Sequence, residues 1–145
     1  MKTGELIRKY RRMRGMTQMD LARECGLSDS AVRNYELGNR KPSRAHLEMI
    51  AEALEVDPEA LMDIEVASAR MALEYLFRID EELGLGPVRD KEGGVVISVD
   101  PSSPKAPKLS AALEAWMRQR EMLDAGEISQ AEYDAWRAGS GFRDL

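Results

Sequence analysis

Over the first 62 residues apolar positions recur every three or four residues, in runs too short for one long helix. Leu6, Ile7 and Tyr10 stripe a first helix predicted over Gly4 to Met13, with Arg8, Lys9, Arg11 and Arg12 on its polar side and Gly15 as its stop. Thr17, with Asp20 three residues on, is a capping-box variant opening a second helix over Gln18 to Cys25. That helix turns Leu21, Ala22 and Cys25 inward, and Gly26 supplies the left-handed residue after it. Ser28 caps a third helix, about Asp29 to Leu37, with Ala31, Val32 and Tyr35 inward and Gly38 at its end. Pro42 and Ser43 introduce a fourth over Arg44 to Leu54, buried through Leu47, Ile50, Ala51 and Leu54. Asp57-Pro58-Glu59 then combines a cap, a first-turn proline and an early acid, the start of a one-turn fifth helix through Leu61 and Met62.

The pattern lengthens afterwards. Ile64, Ala67, Met71, Tyr75, Leu76, Ile79 and Leu83 predict an amphipathic helix from Ile64 to Leu83, broken by Gly84, Gly86 and Pro87. In VRDKEGGVVISVD the spacing changes to two, with Val95, Ile97 and Val99 alternating around a Gly93-Gly94 turn, which predicts a hairpin. PSSPKAP, residues 101–107, is expected to be an extended linker. A helix over Leu109 to Ala125 follows, carrying Leu109, Leu113, Trp116, Met117 and Leu123. A second begins at Ser129, whose capping box uses Glu132 and whose staple pairs Ile128 with Tyr133. The final GSGFRDL is expected to fray. The fold class is therefore mainly α: a five-helix domain over residues 1–62, a linker helix, hairpin and Pro-rich linker over 63–107, and a C-terminal helical hairpin over 108–145.

Charge changes this picture more than composition does. The chain is acidic, with a formal charge of -5, yet residues 1–44 hold 11 Lys/Arg against 5 Asp/Glu. Residues 45–62 hold five acids and no base, and residues 63–145 hold 10 bases against 16 acids. Such asymmetry points to an anionic partner for the first segment and other work for the rest. No apolar run approaches the roughly 18 residues of a membrane span. The N-terminus lacks the apolar core of a signal peptide, so a cytoplasmic location and no membrane partner are expected. Cys25 and His46 are the only residues of their kinds. Metal, cofactor and acid–base chemistry are accordingly not expected, and neither is an enzyme. Cys25 reads as a small buried hydrophobe, Tyr35 as core and His46 as plain surface. Ser102 and Lys105 have a Ser-x-x-Lys spacing, but in a Pro-rich linker this carries no chemistry.

Two short helices joined at Gly26 form a helix-turn-helix arrangement. Ala22 is small where the next helix crosses, Gly26 turns, and Val32 plugs the space beneath the third helix. With Thr17-Gln18, Leu21-Ala22, Gly26, Ser28, Val32, Glu36, Gly38, Arg40 and Pro42 in register, residues 4–62 resemble the Cro/cI-type, XRE-like repressors. The resemblance implies a five-helix domain that inserts its third helix into the major groove of double-stranded DNA. It implies phosphate contacts from Gln18, Ser28, Asn39, Arg40, Lys41 and Arg44. Base reading falls to Asp29, Ser30, Arg33 and Asn34, with Arg33 suited to guanine and Asn34 to adenine. Asp29 departs from the neutral residue usual at its position; stabilising the helix N-terminus is favoured over accepting from cytosine. Glu36 matches a buried acid paired with Arg11.

The resulting expectation is a bacterial or phage transcriptional regulator, a homodimeric repressor. The C-terminal half is assigned to dimerisation or partner binding through Leu113, Trp116, Met117, Leu123, Tyr133 and Trp136, or through the Val95–Val99 edge. The main alternative is an antitoxin-type protein whose C-terminal half binds a toxin or another protein. An effector sensor ranks below both.

Overall fold

The computed structural model describes residues 1–139; of GSGFRDL, everything beyond Gly139 lies outside them. The helices are α1 (Thr3–Met13), α2 (Gln18–Cys25), α3 (Asp29–Glu36) and α4 (Arg44–Leu54), then a one-turn 3-10 helix, Pro58–Leu61. There follow α5 (Ala69–Leu83), an antiparallel pair β1 (Leu85–Arg89) and β2 (Val95–Val99), α6 (Ala106–Asp124) and α7 (Gln130–Ala138).

The described residues divide into two compact units, one of residues 1–64 together with 125–139, the other of residues 65–124. The first has a continuous core. Ile7, Leu21, Val32, Tyr35, Ile50 and Leu61 are its largest fully buried side chains. The caps sit where the sequence places them. Thr17 accepts the Asp20 N–H at 3.0 Å, Ser28 accepts that of Ala31 at 3.2 Å, and Gly26 is left-handed at φ 66°. Gly4 is a tighter constraint: a Cβ there would stand 2.3 Å from the Tyr35 carbonyl oxygen, so α1 crosses the end of α3 with only a hydrogen between them.

The last helix, α7, completes this unit. Ala138 is a member of the core cluster, its carbonyl accepts the Asp57 N–H at 2.7 Å, and Asp134 reaches Lys9 Nζ at 2.6 Å. Tyr133 is buried as well.

The second unit differs from expectation at both helix starts. Ser68 caps α5 by accepting the Met71 N–H at 3.1 Å, so residues 64–67 lie outside the helix. A capping serine offers the first turn a hydrogen bond that Ile64 and Ala67 cannot. Gly84 ends α5 at φ 70°, and Gly86 and Pro87 are already in β1. PSSPKAP is not extended: Asp100 accepts from the Ser102 N–H and Oγ, both at 2.8 Å, Ser103 Oγ donates to the Leu83 carbonyl at 2.9 Å, and α6 begins at Ala106. Pro107 fits that first turn because its missing N–H would have had no helical partner.

Candidate nucleic-acid interface

Helices α2 and α3 both begin on a polar cap, and their starts open on one groove. Thr17, Gln18 and Met19 form one wall, Asp29, Ser30 and Arg33 the other, with Arg11 and Met16 behind. Asp29, Ser30 and Arg33 are exposed. Ser28 Oγ lies 3.1 Å from Ser30 Oγ, so the α3 cap and the first groove residue share hydroxyl contacts. Helix N-termini present backbone N–H groups and the positive end of the dipole, a combination that favours phosphate oxygens.

Beneath the groove lies a buried charge network. Arg11 forks onto Glu36, its Nε donating to Oε1 and its Nη2 to Oε2 at 2.9 Å. Arg11 Nη1 donates to the Met16 carbonyl at 2.6 Å, and Gln18 Nε2 donates to Glu36 Oε2 at 2.8 Å. Burial alone would push the Glu36 pKa up. Hydrogen bonds from Arg11 and Gln18, with the charges of Arg11 and Arg8, outweigh burial and hold the carboxyl below its ordinary value. Glu36 in turn raises the pKa of Arg11. The network joins α1, the start of α2 and the end of α3, which fixes the two groove walls relative to each other. It also means that the Gln18 side-chain amide is occupied internally; what Gln18 offers a phosphate is its place at the α2 N-terminus.

The remaining residues divide into three groups. Asn34, one turn beyond the groove, donates from Nδ2 to the Ser30 carbonyl at 2.8 Å and accepts from Asn39 Nδ2 at 3.3 Å. Reading a base would require it to exchange these local bonds. Arg40 and Lys41 stand exposed in the α3–α4 loop, in a concavity shared with Lys2, Thr3, Gly4, Pro42 and Asp63. Among the described residues neither they nor Arg33 lie within ion-pair distance of a carboxylate. Arg44 is committed elsewhere: Nε donates to Glu48 Oε1 at 2.7 Å and Nη2 to Glu59 Oε1 at 3.3 Å, bonds that raise its pKa.

Two positions depart from the sequence reading. His46 is half-buried, and its Nδ1 lies 2.7 Å from the Tyr35 hydroxyl, tying α3 to α4. A buried phenol needs such a partner. Met19, 56% exposed, lines the groove wall without having been singled out. Its signal in the sequence is an apolar residue in the first turn of α2, off the Leu21–Ala22–Cys25 face. Cys25 is buried against the Met49 carbonyl, and burial pushes its thiol up to about 11, so it is inert at neutral pH.

Residues 7–61 match the family model described as "Helix-turn-helix". An HTH-type transcriptional regulator of Bacillus subtilis, YazB, is 36% identical over 58 residues, which are 40% of this chain and 84% of that protein. The chain belongs to the helix-turn-helix transcriptional regulators. Within that family, an HTH-type regulator of Archaeoglobus fulgidus is 45% identical over 58 residues, 39% of this chain. The match spans only a quarter of that relative's length, 25%. The immunity repressor protein of Bacillus phage phi105 is 28% identical over 130 residues, 86% of this chain and 90% of the phage protein. No helix among the described residues is long and apolar enough to cross a membrane.

Proposed function

We propose that this helix-turn-helix regulator is a dimeric repressor that binds double-stranded DNA, with α3 in the major groove and Arg33 as its principal base reader. The observation that carries the reading is the shared groove at the starts of α2 and α3, with Arg33 in its wall and within ion-pair distance of no carboxylate among the described residues. Arg40 and Lys41 add exposed charge from the α3–α4 loop. Arg33 is the base reader best placed, because its guanidinium has the fork that guanine O6 and N7 accept. Ser28, Asn39, Arg40 and Lys41, with the backbone at Gln18, hold phosphates. Asp29 serves the positive end of α3, and Ser30 and Asn34 read bases after exchanging local hydrogen bonds. Arg44 acts on phosphate only by leaving Glu48 and Glu59. The repressor sense is supported by the likeness to the phage immunity repressor along most of both chains.

Footprinting on the DNA upstream of its own gene tests this. The reading expects two protected half-sites about 10 bp, or a multiple of that, apart. Protection should weaken steeply with salt, because each phosphate neutralised releases counterions. A chain that protects no DNA even at low salt is not the proposed repressor.

A further inference from the structure

Helix α5 is amphipathic by sequence, yet among the described residues none of its side chains is buried. Its half-buried apolar members Ala72, Ile79 and Leu83 share one side, and α5 packs along β1. Nearly opposite, at spacings of three, four and four, stand Arg70, Leu73, Phe77 and Glu81. Residues so spaced lie along one line of a helix. Leu73 is 47% and Phe77 52% exposed, and the Arg70 guanidinium sits 5.9 Å from the Phe77 ring centroid. They are the most exposed apolar side chains of α5, ahead of Met71, Tyr75 and Leu76, and their alignment makes this side a contact face.

The order of charges along this line selects what covers it. From N- to C-terminus it runs basic, apolar, apolar, acidic, and beside it Glu74 is ion-paired to Arg70 at 3.0 Å and to Arg78 at 3.2 Å. Such a line is complementary to itself reversed. A two-fold axis level with residue 75 sets Leu73 against Phe77 of a second copy, Arg70 against its Glu81 and Glu74 against its Arg78. Parallel pairing would instead set Arg70 on Arg70 and Glu81 on Glu81. Isologous contacts require this self-complementarity.

We propose that α5 is the self-association surface of this protein, two copies packing antiparallel along Arg70, Leu73, Phe77 and Glu81. This rests on the dimeric reading above and names its interface. The surface lies outside the matched 7–61 segment. Altering it therefore separates dimerisation from the grip of each half-site.

Sedimentation equilibrium on the full chain tests it, with far-UV circular dichroism to verify folding. Leu73→Asp with Phe77→Asp should raise the dimer dissociation constant by about 100-fold or more, as loss of central apolar anchors does. Arg70→Glu and Glu81→Arg should each weaken the dimer by about ten-fold, through like charges set opposite one another twice. Mixed together, these two variants restore both ion pairs and should associate as a heterodimer within about three-fold of the wild type. Weakening of each variant alone with recovery to the wild-type level in the mixture is specific to the antiparallel register. In a parallel pair the single variants would match the wild type and the mixture would exceed it. Recovery also excludes an effect on folding. A wild-type dimer that all these variants leave intact overturns the α5 interface while preserving the dimeric reading. A wild-type chain that stays monomeric and protects one half-site overturns both, and leaves the stripe to another occupant.

Discussion

The two units use similar apolar residues in opposite ways. In residues 1–64 with α7, Ile7, Leu21, Val32, Ile50 and Leu61 are removed from water and the single buried acid is forked by an arginine. In residues 65–124, Leu73, Phe77, Val88, Val95, Ile97 and Met117 stay about half exposed or more, and Ala106 is the buried apolar residue. The first unit buries its stripes by crossing short helices. The second has two helices, α5 and α6, with a two-stranded hairpin, too few layers to cover every apolar side. The lesson is that an amphipathic pattern predicts a helix but not what covers it.

The sharpest way to break this contrast is to remove Arg11. Arg11→Ala leaves the Glu36 carboxylate buried without its fork, and should lower unfolding free energy by about 3–5 kcal/mol in urea titrations. Gly4→Ala comes next, since its methyl would meet the Tyr35 carbonyl. A loss of about 1–3 kcal/mol is expected as α1 shifts off α3. Leu73→Ala in the second unit, measured at a concentration where the chain is monomeric, should change stability by less than about 0.5 kcal/mol. If that change matched the core variants, the comparison between the units would fail.

Acid sharpens the same comparison. The folded pKa of Glu36 is below its unfolded value, so its contribution to stability is fully present above the ordinary carboxylate range and is lost as pH falls through the depressed folded value. Stability should be flat near neutrality and decline below about pH 4.5. Glu36→Gln should flatten the decline while lowering the neutral plateau. The smallest effect expected is from Lys9→Ala, which removes the partly exposed ion pair to Asp134 on α7; roughly 0.2–1 kcal/mol should be lost.

How much of this was legible follows from which signals are local. Thr17, Ser28 and Ser43 cap the helices they precede, Gly26 turns left-handed, and α2 and α4 have the bounds that spacing predicts. Capping and periodicity act within a few residues, so they can be read without the fold. The contact between Gly4 and the Tyr35 carbonyl cannot, because it depends on how two helices cross 31 positions apart. Nor can the bond between Tyr35 and His46, or the burial of Ala138 in the first unit's core. In the site, spacing places Asp29, Ser30 and Arg33 on one face of α3. It does not show that Gln18 is held by Glu36, or that Arg44 turns to Glu48 and Glu59.

The central claim is that the basic first segment grips DNA phosphates through uncommitted side chains while Arg33 reads a base. It is tested most directly by the salt dependence of binding to the footprinted site, for wild type and for the double variant Arg40→Ala, Lys41→Ala. Each phosphate contact contributes about -0.9 to the slope of log K against log salt. The double variant should therefore have a slope shallower by roughly four in a dimer, and keep the wild-type preference among site sequences. An unchanged slope, or a preference lost together with the two loop cations, would contradict the account.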